Sequence, residues 1–394
     1  MKRIIISLFF ILIFITSVFS QNISYVTPTG AGNQDGTSWA NAYPANFIQS
    51  AIDDMANAGG GQVWVASGTY YPTVPFDNDY TDVRKKSLNM KTNVEVYGGF
   101  SGTETALNQR TNYGEGELNE TIISGDLGSA GIIADNSYYV VYVASGVNNA
   151  RIDGLTIQDG NANASSFNDG GGVYTSFGDL SIINCVIKNN HADDNGGGLF
   201  IRRNCVVDSS IIHSNTSGAE GAGIYTLYWS SYTDPVPVIK NSLIYNNVSS
   251  SDGGGVYIKT DGEITNCRII NNEAYRGGGI FASYGGLMVN NLVANNESNF
   301  YGGGVFLDYG GTLLNSTIVS NDANYSAGVN RNRGSGIVQN CIIWNNDILS
   351  YGTGTAFEYC AIEGGFSGSS AGSGIINLSA SNTGTGTANY PEFN

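Results

Sequence analysis

A glycine-rich motif returns along this chain at a nearly constant interval, and such a pattern fits only a fold that itself repeats. It reads GGGVY at 170–174, GGGLF at 196–200, GAGIY at 221–225, GGGVY at 253–257, GGGIF at 277–281 and GGGVF at 302–306. A decayed copy, SAGVN, stands at 326–330, and the steps between copies are 26, 25, 32, 24, 25 and 24 residues. A second motif interleaves with the first. Asn184-Cys185-Val186-Ile187, closed by Asn190, is matched by Asn241 with Asn247, Asn266 with Asn272, Asn290 with Asn296, Asn315 with Asn321 and Asn340 with Asn346, while Ser209 with Asn215 keeps the same frame.

Each unit holds two or three short alternating runs separated by Gly or Asn and no stretch of helical period, which makes it one coil of a parallel β-helix. A single coil cannot bury its apolar side, so coils stack at the strand spacing of ~4.8 Å. Period-two alternation within GGGVYIKT sends Val256 and Ile258 inward and Tyr257 and Lys259 outward. The inward column Val173, Leu199, Ile224, Val256, Ile280, Val305 and Val329 is then the core. The column Asn190, Asn215, Asn247, Asn272, Asn296, Asn321 and Asn346 reads as a ladder of stacked amides, placed at a turn where Asn tolerates positive φ. Cys185, Cys267 and Cys341 share a column with Ser210, Ser242, Asn291 and Ser316, a place for small buried residues and free thiols. Cys360 stacks beside Cys341 in this scheme, where a disulfide is geometrically open.

Composition agrees with an all-β chain. Of 394 residues 54 are Gly, about twice the usual share, and only 13% are charged. With 17 Lys and Arg against 33 Asp and Glu, the net charge is −16, which excludes a nucleic-acid binder. Met1-Lys2-Arg3 followed by an apolar run from Ile4 to Ile15 and small residues to Ser20 describes a secretory signal peptide cut after Ser20. The expected product is exported, secreted or held at a cell surface with outer-membrane association, without a transmembrane segment in the mature chain, and monomeric. The expected parts are the signal peptide at 1–20, an N-terminal cap with the opening coils at 21–126, the repeat array at 127–365, and a Gly/Ser/Thr-rich tail or final strand at 366–394. Within the cap, Phe47, Ile48, Ala51, Ile52 and Met55 follow Pro44 at helical spacing, predicting a short helix over 45–58 that closes the open end of the stack.

The segments Asp35-Gly-Thr-Ser-Trp39, Gly61-Gln-Val-Trp64 through Tyr70, and Tyr97-Gly-Gly-Phe-Ser-Gly-Thr-Glu104 resemble the first coils of right-handed parallel β-helix proteins of the pectin-lyase superfamily. The GGG-aliphatic-aromatic copies with their Asn partners resemble the polymorphic outer-membrane protein repeat. Together the resemblance covers about residues 24–365. It implies a right-handed parallel β-helix with a short capping helix, and a role among the lyases, hydrolases, epimerases, adhesins and stalks that share the fold.

Candidate sites follow from the columns. The outward rings Tyr174, Phe200, Tyr225, Tyr257, Phe281 and Phe306 allow two readings: a carbohydrate platform with Tyr225 and Tyr257 at its centre, or ring-on-ring stacking that stabilises the coils. The insertion in the 32-residue unit carries Tyr228, Trp229 and Tyr232 beside Tyr225, so the 228–237 loop is the first candidate for ligand contact. For a lyase, which the resemblance brings into view, the base and carboxylate candidates are Arg202, Lys259, Asp261 and Asp308. Glu273, Glu297, Asp322 and Asp347 follow the ladder Asn in successive coils, where either Ca²⁺ binds or the side chains splay into water. No other cofactor is implied. The leading expectation is a non-catalytic protein for adhesion or glycan binding. The alternatives are a pectate-lyase-like polysaccharide lyase acting on acidic polysaccharide, and a structural spacer.

Overall fold

The structure, a computed structural model, describes residues 22–227, 235–333, 336–346, 356–363 and 374–378. The chain winds as a right-handed parallel β-helix. Two sheets of 12 strands run the length of the stack, from Ile23–Val26 to Ala356–Glu358 and from Gly68–Tyr70 to Ile376–Leu378. A third sheet of 7 strands starts at Asn161–Ala162, and a fourth of 10 ends at Val329–Arg331. One coil shows the plan: Val256–Ile258, Glu263–Thr265, Arg268–Ile270 and Glu273–Arg276 lie on four different sheets, each pairing with its equivalent in the next coil. Among the described strands the pairing is parallel except for the short Val74–Pro75 edge strand, with isolated antiparallel bridges at Thr29–Pro44 and Ala164–Phe167.

Corners occur where the sequence supplies residues that accept positive φ, one position earlier than the sequence pattern suggested for the ladder. Asn266 and Asn271 carry φ of 56°, and their equivalents Asn184, Asn241, Asn290, Asn315 and Asn340, and Asn189, Asn246, Asn295 and Asn345, fall between 49° and 56°. The ladder residue follows the corner, so its side chain turns inward instead of making the bend. Gly277 makes a third corner at φ 62°. Two residues on, a Cβ at Gly279 would stand 2.5 Å from the carbonyl oxygen of Gly304, so coils approach there too closely for a side chain.

The inward aliphatic column is the core, as expected: Val173, Leu199, Ile224, Val256, Ile280 and Val305 are wholly buried. The amide ladder forms as well. Each Nδ2 donates to the Oδ1 one coil on, at 3.0 Å from Asn247 to Asn272, from Asn272 to Asn296 and from Asn296 to Asn321. The same Oδ1 accepts the backbone N–H of the preceding ladder residue. The Cys/Ser column makes a mixed second ladder, with Cys185 N–H donating to Ser210 Oγ at 3.1 Å and Cys267 N–H to Asn291 Oδ1 at 2.9 Å. All five cysteines are buried and free, so Cys341 and Cys360 are unbridged. Burial pushes the thiols of Cys185 and Cys205 up to about 12.

Helix α1 (Ile48–Asn57) caps the first coil with Ile48, Ala51 and Ile52 buried. The turn before it, Ala45–Phe47, is a 3-10 helix, and Phe47 is exposed, stacked on Tyr43 at 6.0 Å rather than packed in the core. In the Tyr97–Glu104 motif, the Glu104 carboxylate accepts the backbone N–H groups of Ser101, Gly102 and Thr103 at 2.7, 3.1 and 2.9 Å. Trp39 Nε1 donates to its carbonyl at 2.8 Å. The motif that resembles other β-helix caps thus serves to tie the first coils together. The signal-like segment, the loop residues Tyr228, Trp229 and Tyr232, and Asp347 lie outside the described residues.

Candidate functional site

The outward rings stack face to face, with centroids 5.2 Å apart from Tyr174 to Phe200, 5.0 Å to Tyr225, 5.2 Å to Tyr257, 5.0 Å to Phe281 and 4.8 Å to Phe306. They do not form an open platform. Tyr225 is 4% exposed and Tyr257 2%, and the rings make a second hydrophobic cluster separate from the aliphatic core. The rings stack on one another along the coils, as the second of the two readings describes. Tyr225 and Tyr257 are buried, and Lys259 lies over the Tyr257 ring.

That cover is built from the residue just before each glycine triplet and from the turn after the strand. Asp252 takes two hydrogen bonds from Arg276, at 2.8 and 2.6 Å, and the guanidinium lies 5.2 and 5.5 Å from the Phe281 and Phe306 centroids. Lys259 Nζ sits 3.8 Å from the Glu220 carboxylate and 5.5 Å from the Tyr257 ring. Arg202 lies over Phe200 at 4.9 Å and over Phe177 at 4.8 Å. Burial raises the carboxyls of Asp169, Glu220 and Asp252 above the ordinary range. The sequence reading missed this column. The position before the triplet reads Asp169, Asn195, Glu220, Asp252 and Arg276, and that run of polar residues beside buried rings was the available signal.

The lyase candidates are not brought together. Arg202 is two coils from Lys259, roughly 10 Å along the stack. Asp308 lies two coils beyond Lys259, is buried, and accepts Asn332 Nδ2 at 2.8 Å and the Arg333 guanidinium at 3.3 Å. Asp261 is exposed. Glu273, Glu297 and Asp322 do stack in register. Glu297 and Asp322 are exposed to water, and among the described residues no three acidic, His or Cys groups converge as a metal cage.

A cavity of ≈ 330 Å³ opens at the end of the ring stack. Its origin is the decayed repeat: Phe306 pairs in register with Asn330, so the next ring is missing and a small amide stands in its place. Tyr275, Phe300, Tyr301 and Phe306 supply aromatic walls, and Asn330, Asn332, Arg276 and Arg331 complete the lining. Tyr275 stacks on Phe300 at 5.3 Å, and Tyr301 meets Phe300 edge-on at 4.3 Å. Tyr275 is 45% exposed, so the aromatic wall continues to the surface. Among the described residues, no carboxylate lines the cavity. Flat apolar faces beside amide donors and acceptors can hold a ring that is apolar on its faces and polar at its edge.

No protein-family model matches the sequence, nor does any curated protein sequence. Among solved structures, the chain resembles the A-module of the mannuronan C-5 epimerase AlgE4 of Azotobacter vinelandii, at 16% identity over 90% of this chain and 95% of that one, with a TM-score of 0.45. It resembles a pectate lyase at 14% identity over 90% and 79%, TM-score 0.45. It resembles PfbA, a surface adhesin of Streptococcus pneumoniae, at 12% identity over 85% and 87%, TM-score 0.38. The likeness is one of fold.

Proposed function

We propose that this chain is an exported, non-catalytic saccharide-binding β-helix protein, secreted or carried at a cell surface, whose ligand enters the cavity at the end of the ring stack. One observation supports this reading above the others: aromatic walls and amide groups converge there. Among the described residues no helix is long and apolar enough to cross a membrane.

Nuclear magnetic resonance titration against a panel of neutral and acidic oligosaccharides, with and without Ca²⁺, tests the proposal. Phe300→Ala and Tyr301→Ala should each weaken binding roughly tenfold, the loss expected for a stacking ring, with the circular dichroism spectrum unchanged. Binding that survives both changes and is lost on Trp229→Ala with Tyr232→Ala would place the ligand at the 228–237 loop instead. Ultraviolet absorbance from unsaturated uronides would favour the lyase alternative, and a panel with neither binding nor turnover would leave a structural spacer.

A further inference from the structure

Cys341 and Cys360 stand opposite each other on neighbouring coils. Gln339 pairs with Glu358 and Ile342 with Ala361, so a single register runs through both positions and sets the two cysteines side by side. Parallel strands lie about 4.8 Å apart, within the ~4.4–6.8 Å between Cα atoms that a disulfide spans. The two thiols hydrogen-bond to each other. The Cys341 S–H lowers the pKa of Cys360, so Cys360 gives up its proton first. No other two cysteines meet in this way. Cys185 lies beside Ser210, Cys267 lies between Ser242 and Asn291, and Cys205 pairs with Leu180. The pair also sits where the stack has least support. Among the described residues the third sheet ends at Asp322–Tyr325 and the fourth at Val329–Arg331, leaving two sheets to hold the last coils. A segment held by fewer backbone hydrogen bonds and fewer packed neighbours opens first.

We propose that Cys341 and Cys360 are a redox-sensitive pair, which closes to a disulfide in the presence of a small-molecule disulfide and ties the last coils of the stack together. Both residues are buried, so the reaction belongs to a chain whose last coil is open, during folding or in a transient opening. The Cys360 thiolate attacks one sulfur of oxidised glutathione, and one glutathione leaves as its thiolate. Cys341 then loses its proton and attacks the Cys360 sulfur of the mixed disulfide, and the second glutathione leaves. Two protein thiols are oxidised and one small disulfide is reduced to two thiols, so the electrons balance. The cysteines are 19 residues apart, and linking them takes conformational freedom from the open segment, which favours the wound state.

The test refolds the whole reduced protein from urea, with and without a mixture of reduced and oxidised glutathione, and counts free thiols by alkylation and mass spectrometry. Five should remain without the oxidant and three with it, and peptide mapping should join Cys341 to Cys360. The oxidised protein should melt at a higher temperature. Exchange of the Ala361 N–H, which donates to the Cys341 carbonyl at 2.9 Å, should slow roughly tenfold, and dithiothreitol should reverse both changes. Cys341→Ser and Cys360→Ser are the controls. Ser210, Ser242 and Ser316 already fill this column, so each variant should fold with the parent's circular dichroism spectrum. Each should keep four free thiols in the oxidant and gain no thermal stability from it. Five free thiols after refolding in the oxidant, a link to any other cysteine, or a link between chains overturns the pairing. A Cys341–Cys360 link that leaves the melting temperature and the Ala361 exchange unchanged overturns its role as a tie.

Discussion

At the scale of single residues, the cover over the ring stack places carboxyl groups where water is scarce. Asp169 accepts from Asn195 twice, from the backbone N–H at 3.0 Å and from Nδ2 at 2.9 Å, yet burial outweighs these bonds and raises its pKa. The unfolded chain releases this proton in the ordinary carboxylate range, and the fold holds it to higher pH. Between the two values the folded state binds more protons than the unfolded state, so this group's contribution to stability is greatest at low pH and falls as pH rises through that window. Asp169→Asn removes the charge and keeps an oxygen acceptor for Asn195. Urea titrations should show the variant more stable than the parent at about pH 7, by ~1.4 kcal/mol for each unit of pKa shift, and no more stable at about pH 3.5, where the parent carboxyl is neutral. A gain of equal size at both pH values would mean that charge burial is not its cause. The sequence showed Asp169 as one more acid in a chain of net charge −16. Its burial depends on a ring from its own coil and a turn from the next, neither of which a local pattern reveals.

At the scale of elements, legibility followed period. The apolar spacing of Ile48, Ala51 and Ile52 located α1, and the alternation around Val256 located the strands, because both patterns record which face is buried. Positive φ was harder to place: the Asn that bends and the Asn that ladders are adjacent, and composition alone does not distinguish them. Gln49 was hidden for another reason, since its partner is 40 residues away. It is 3% exposed, and its side-chain amide meets Asn89 as another strand would, donating to the carbonyl at 3.0 Å and accepting the N–H at 2.8 Å. The capping helix thus closes the hydrogen-bonding edge of the stack as well as its apolar end. Gln49→Ala leaves both groups of Asn89 buried without partners, which should cost about 2–4 kcal/mol. The urea midpoint should fall accordingly, and amide exchange should quicken at Asn89 before it does at the ladder residues. An unchanged midpoint would show that the helix acts through its apolar face alone.

At the scale of the whole molecule, the stack behaves as a sum of coils and of contacts between neighbours, which makes its length adjustable in a way that a globular core is not. Gly196 and Gly221 occupy the same place in successive coils, with φ of 67° and 65°. Deleting residues 196–220 therefore joins Asn195 to Gly221 in register. Tyr174 then meets Tyr225, and Asn190 meets Asn247, each pair repeating a contact type already present in the stack. Nothing in the cavity is removed, since its lining runs from Tyr275 to Asn332. The shortened protein should keep a β-type circular dichroism spectrum and a cooperative melt, bind any ligand of the cavity as the parent does, and lose one of five cysteines, so that four thiols titrate on unfolding. A fold of two facing sheets would not survive this cut, because strands excised from a sandwich leave their partners unpaired on both faces. Collapse of the deletion protein to an aggregate, with the intact chain soluble under the same conditions, would contradict a coil-by-coil stack. Retention of binding would show in addition that the cavity depends on the last coils and not on the length of the ring column that leads to it.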